Sequence, residues 1–234
     1  MKIKKTSKII LISILSLIII TFISFFIYVS NYSKANVNDI NKVYLSNPNI
    51  EQNDNLTIIY PTKNNDKNIG LIFYPGGKVE DIAYLPLLNQ ISQSGITCFL
   101  VKMPFNLAVF DIDAANKIIK SYPSIKSWYL SGHSLGGAMA SSYAKENYKK
   151  LEGLILLASY PLNDAPIKTI SIYGSLDSVL DLSKLNDVNK LEIDGANHAN
   201  FGNYGFQEGD TAATISKEEQ QKITVEAINN FIFE

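Results

Sequence analysis

The chain has 234 residues, 46% of them hydrophobic and 18% charged, with a formal net charge of −1. That balance supplies a core for about one domain and excludes charge-driven binding of nucleic acid or of a strongly charged partner. One cysteine, Cys98, and two histidines exclude an internal disulfide and leave no metal-ligand cluster, so neither a metal nor a cofactor is expected.

In chain order, Lys2, Lys4, Lys5 and Lys8 precede residues 9–29, an apolar run with no charged side chain. A helix of that length spans the roughly 30 Å hydrocarbon core of a bilayer. The lysines favour a cytoplasmic N-terminus. Residues 1–30 therefore read as a single-pass anchor in the cell membrane, with the rest of the chain outside the cytoplasm. The rival is a signal peptide released by cleavage, giving a secreted protein. Ser33-Lys34-Ala35 is its best cleavage site, and no lipid-anchor cysteine follows the run. Residues 31–55, rich in Asn, Ser, Asp and Lys, read as a polar stalk with a short strand around 43–45.

Residues 56–60 read as a strand, and 69–74 as a strand buried on both faces. The latter runs into Pro75-Gly76-Gly77-Lys78. Ile82, Leu85, Leu88 and Ile91 form a helix stripe that stops at Gly95, and 96–103 is a strand stopped by Pro104. A loop at 105–110 and a short helix at 113–122 follow. Trp128-Tyr129-Leu130 is a buried strand leading into Ser131-Gly132-His133-Ser134-Leu135-Gly136-Gly137, and 138–147 is helical. Strands at 151–158, 167–173 and 190–194 precede an amphipathic helix at 217–233. Strands alternating with helices predict an α/β domain over 56–234, a mostly parallel central sheet flanked by helices. Right-handed crossovers gather its loops at the carboxyl ends of the strands. Only about eight residues separate the strands at 151–158 and 167–173, too few for a lid. No cap domain is expected, and the site should be open.

Strand, G-x-S-x-G and helix in succession read as a nucleophile elbow with Ser134 at its apex. Gly132 and Gly136 remove the clashes of so sharp a turn, and the Leu135 N–H can meet an oxyanion. A serine needs a base, and the base an orienting carboxylate. His198 follows the last strand; His133, beside Ser134 on the elbow, should point away from it. Asp177 follows the strand at 167–173, with Asp181 as a neighbour and Asp164 as the more serious alternative. The second oxyanion donor is expected from the N–H of Gly77, with Lys78 next. Phe105, Asn106, Tyr160, Phe201 and Tyr204 are the candidates for a substrate pocket.

The stretches Phe73-Tyr74-Pro75-Gly76-Gly77-Lys78-Val79, Lys102-Met103-Pro104-Phe105-Asn106-Leu107-Ala108, Gly132-His133-Ser134-Leu135-Gly136-Gly137, Gly174-Ser175-Leu176-Asp177 and Asn197-His198-Ala199-Asn200-Phe201-Gly202-Asn203-Tyr204-Gly205 carry a resemblance. Over about residues 56–233 the chain resembles the α/β-hydrolase superfamily. More narrowly it resembles the small lidless fold-5 group related to dienelactone hydrolases. The resemblance implies the α/β-hydrolase fold, with Ser134 as nucleophile, Asp177 as acid and His198 as base. The His-Gly usual in the family's oxyanion loop is Pro75-Gly76 here, and dienelactone hydrolases have cysteine where this chain has Ser134. The expected activity is a carboxylesterase-like serine hydrolase, anchored by its N-terminal helix and acting on a small-molecule ester. A thioesterase, acyltransferase or peptidase on the same fold is the alternative, and a catalytically silent binding domain is the rival of another class.

Overall fold

A computed structural model describes residues 2–162, 165–185 and 189–234. The chain forms two compact units, Met1–Tyr32 and Ser33–Glu234. In the first, α1 (Lys2–Ser30) is one continuous helix. Its large apolar side chains from Ile9 to Tyr28 are mostly exposed, and the Thr21 hydroxyl is satisfied by the Leu17 carbonyl one turn back (2.9 Å). The helix is long and apolar enough to cross a membrane or to be a signal sequence.

The second unit is an eight-stranded sheet: β1 (Ile50–Gln52), β2 (Leu56–Ile59), β3 (Ile69–Tyr74), β4 (Ile96–Val101), β5 (Ser127–His133), β6 (Gly153–Leu157), β7 (Lys168–Gly174) and β8 (Lys190–Ile193). Its helices are α2 (Val37–Ser46), α3 (Leu85–Ser92), α4 (Ala114–Ser121), α5 (Leu135–Asn147) and α6 (Lys217–Phe233). The strand order is β1-β2-β4-β3-β5-β6-β7-β8. β2 runs antiparallel to both its neighbours, and all pairings from β4 across to β8 are parallel. The carboxyl ends of β3, β5, β6, β7 and β8 therefore share one edge of the sheet, where the sequence motifs begin.

Side-chain alternation sorts two cores. Leu71 and Phe73 of β3 join the core under α2, α3 and α6, while Ile72 and Tyr74 join the one under α4 and α5. Cys98 of β4 lies in the first core, where burial pushes its thiol pKa up and leaves it an unreactive apolar filler. β6 and β7 are joined by residues 158–167, with no helix among the described residues. Asp164, the alternative acid, lies outside the described residues.

Residues 31–55 differ from the expected stalk. The side chain of Asn36 caps α2 by accepting the N–H groups of Asn38 and Asp39, and Ile40 and Val43 are buried in the first core. The expected strand at 43–45 is the end of this helix, and β1 comes later, at Ile50. Two apolar residues three apart behind an Asn cap make an amphipathic turn that polar composition conceals.

Candidate active site

β5 ends at His133 and α5 starts at Leu135, so Ser134 alone turns the chain. Its φ of 50° and ψ of −120° lie in a region that costs a non-glycine residue about 1–3 kcal/mol. The glycines on either side permit the turn. A Cβ on Gly132 would collide with the backbone of Gly136 and Gly137, and one on Gly136 with the carbonyls of Tyr74 and Pro75. The Ser134 N–H donates to Leu157 O (2.9 Å) and its carbonyl accepts from the Ala138 N–H (3.0 Å). The residue is left partly exposed in a cleft of about 300 Å³.

His198 lines the same cleft. Its Nδ1 lies 2.9 and 3.1 Å from the two oxygens of Asp177, whose carboxylate also accepts from the N–H groups of Val179 and Leu180, each at 2.9 Å. The Asp177 side chain is fully buried, and these donors offset the cost of burying it. A carboxylate only accepts, so Nδ1 carries a proton, and in the neutral tautomer this selects, Nε2 is the acceptor nitrogen. Nε2 is buried and has no hydrogen-bond partner among the described residues. The loop around it is gripped from elsewhere in the chain. Asp210 accepts from the N–H groups of His198 and Ala199 (3.3 and 3.0 Å), and the Gln220 amide holds the N–H and C=O of Asn197 (3.1 and 2.8 Å). Sequence reasoning missed both. Asp210 sits in an irregular loop, and Gln220 has the composition of a solvated helix position although it is fully buried.

The His133 ring packs against that of His198 with centroids 4.7 Å apart. Its Nε2–H donates to the His198 carbonyl (3.0 Å), which requires Nδ1 to accept from the Tyr84 hydroxyl (2.8 Å). That hydroxyl in turn accepts from the Gly76 N–H (3.1 Å). Burial, and then the neighbouring His198, push the His133 pKa well below 6.5, so the ring is neutral. With both nitrogens engaged it is not available to Ser134. Tyr84 fell within the predicted helix stripe, and nothing local marked its hydroxyl as a link between two loops.

The loop after β3 lies against the elbow. A Cβ on Gly77 would come within 2.7 Å of the Leu135 side chain. The N–H groups of Gly77 and Leu135 make no hydrogen bond among the described residues. The Lys78 N–H donates to the Asn106 carbonyl (2.8 Å), which removes Lys78 as a donor. Of the five candidate pocket residues, Tyr160 lines the cleft, together with the apolar Ala138, Ala158, Val179 and Leu180. Phe105 stands outside it, edge-on to Phe110, and Asn106 contributes the carbonyl just described. Phe201 and Tyr204 turn into the core, Phe201 against His133 and Tyr204 against Tyr84. Both rings lie in the core because burying an aromatic ring there removes more apolar surface from water than leaving it on the cleft wall. Asp181 also lines the cleft, its side chain accepting from Ser183.

A family model described as alpha/beta hydrolase family matches residues 70–222, from β3 into α6. No curated protein matches the sequence. Among solved structures, a predicted CIB-like hydrolase from Thermoplasma acidophilum is similar over 77% of this chain and 96% of its own, at 17% identity and a TM-score of 0.54. Est1E from Butyrivibrio proteoclasticus, in its complex with ferulic acid, is similar over 79% of this chain and 95% of its own, at 12% identity and a TM-score of 0.56. XC6422 from Xanthomonas campestris, an α/β serine hydrolase without a lid, is similar over 75% of this chain and 86% of its own, at 12% identity and a TM-score of 0.53. At such identities the likeness is one of fold.

Proposed function

The chain belongs to the alpha/beta hydrolase family, and on that premise we propose that it is a serine hydrolase of carboxylic esters, anchored in the cell membrane by α1. One observation carries the reading. His198 is held by Asp177 through Nδ1, and its unpartnered Nε2 belongs to a residue lining the same cleft as the strained Ser134. In this reading Ser134 Oγ attacks the ester carbonyl while His198 Nε2 takes its proton. The unspent N–H groups of Leu135 and Gly77 receive the oxyanion. His198 then returns the proton to the leaving alcohol, and the acyl group is left on Ser134. Water, deprotonated by the same nitrogen, attacks the acyl-enzyme; the acyl–Oγ bond breaks, His198 gives the proton to Ser134 Oγ, and the acid leaves. Asp177 fixes the imidazole tautomer throughout and stabilises the imidazolium that forms.

The small, largely apolar cleft, with Tyr160 on its wall, suits a compact acyl or alcohol group. Est1E, which shares this fold, binds ferulic acid, a carboxylic acid of the class that ester hydrolysis releases. A fluorophosphonate probe should label the wild type and fail to label Ser134→Ala; equal labelling of both would remove the assignment. Ester, thioester and amide substrates of matched acyl group then separate the esterase from a thioesterase or peptidase, and added alcohols reveal any acyl transfer. The lysines at 2, 4, 5 and 8, ahead of the apolar run of α1, support a cytoplasmic N-terminus and an external domain. Protease added to intact protoplasts should degrade the domain; protection would reverse that orientation.

A further inference from the structure

We propose that residues 33–39 are a positioning strap that fastens the oxyanion loop and the histidine loop at the same time; this rests on the serine-hydrolase reading of the site. The segment lies before the stretch matched by the family model and pairs with residues inside it. Ser33 forms a β-bridge with Val79: its N–H donates to the Lys78 carbonyl (2.8 Å) and its carbonyl accepts from the Glu80 N–H (2.9 Å). The Ala35 N–H donates to the Glu80 carboxylate (2.8 Å). These bonds fall on the residues directly after Gly77.

Lys78 is itself left-handed, with φ of 58°. A lysine there is strained and stays only where its surroundings over-determine it. Its N–H is fixed by Asn106 on one side and its carbonyl by Ser33 on the other. Removing the Ser33 bond therefore frees the Lys78–Val79 peptide, two peptide units along the chain from the one that carries the Gly77 N–H.

The same segment then reaches the loop of His198. The Asn36 N–H donates to the Asn203 carbonyl (2.7 Å), and Asp39 accepts from the Asn203 side-chain amide and from Lys217 Nζ, both at 2.8 Å. Those two partners hold the Asp39 carboxyl at about 2, so it is ionised at neutral pH. Asn203 is fixed in turn by Gln221, which also bonds the Asn200 carbonyl. One short stretch thus ties the donor loop and the base loop to a common backbone. Cleavage after Ala35 would remove Ser33 and Ala35 and loosen the donor side, so the uncleaved chain is the more active form.

The test uses full-length protein in detergent micelles, with three variants: Ser33→Pro, which deletes the N–H bonded to Lys78, Glu80→Ala, which deletes the acceptor of Ala35, and Glu80→Gln, which keeps an acceptor oxygen. Expected are a roughly tenfold lower kcat and fluorophosphonate labelling rate for Ser33→Pro and Glu80→Ala, with KM within about twofold. Glu80→Gln should recover most of the loss. Wild-type kcat and labelling in folded Ser33→Pro and Glu80→Ala, even with a lowered Tm, would overturn the strap. Should Ser33→Pro not fold, the Glu80 pair decides alone, and equal rates for Ala and Gln overturn it. A wild type that the probe does not label defeats the hydrolase reading itself, an outcome the variants cannot imitate.

Discussion

The Ser134 elbow and the His198 loop line one cleft and are held in place by different means. The elbow is held by its own neighbourhood: β5 before it, α5 after it, and glycines at 132 and 136 that let backbones meet. The histidine loop has no such local logic. Asp210 and Gln220 hold it, and Gln221 and Asp39 grip its Asn203, through side chains that come from other parts of the chain. Strain can be built into seven consecutive residues, whereas the place of His198 on the cleft rests on long-range clamps.

The largest effect should come from Asp177→Asn. The amide can donate to Nδ1 and so moves the imidazole proton to Nε2, the wrong nitrogen. kcat on a neutral ester should fall on the order of 10⁴-fold, or about 5.5 kcal/mol. The unfolding midpoint should move little, which separates chemistry from fold. On the elbow side, Gly136→Ala pushes a methyl group into the carbonyls of Tyr74 and Pro75, which are backbone and cannot rotate away. Urea unfolding should show a loss of about 3 kcal/mol.

Asp210→Ala breaks the clamp without touching the reacting atoms. The N–H groups of His198 and Ala199 lose their acceptor, and kcat should drop roughly 10- to 100-fold with KM nearly constant. If the elbow and the loop were held alike, this substitution would instead act mainly on stability. Smallest and most gradual is a pH effect behind both halves. His133 is neutral when folded, with its pKa held well below the 6.5 it regains on unfolding. The unfolded chain therefore takes up the proton first. His133's contribution is fully present above pH 6.5 and is lost as pH falls below it, by about 1.4 kcal/mol per unit. Urea midpoints at pH 7.5 and 5.5 should show that slope, and His133→Gln should flatten it.

Much of this was readable in the chain. The strand before Ser134 and the helix after it, the apolar run of β3 into Pro75-Gly76-Gly77, and Asp177 and His198 behind successive strands are all local patterns, and all recur in the structure. The segment at 31–55 was misread because its composition is polar while the two apolar residues that matter, Ile40 and Val43, are only three apart. Phe201 and Tyr204 were assigned to the cleft because loop position does not reveal which way a ring turns.

The α/β sheet, the turn at Ser134 and the chain order of Ser134, Asp177 and His198 are legible in the sequence, because strand patterning, glycine placement and strand-end position act over a few residues. It takes the tertiary structure to show that His133 links Tyr84 to the His198 carbonyl and that the Lys78 N–H is taken by the Asn106 carbonyl. It alone brought Asp39 to Asn203, 164 residues away, and to Lys217, 178 residues away. Such pairings depend on where the whole sheet carries each loop, and no spacing within the sequence encodes that distance.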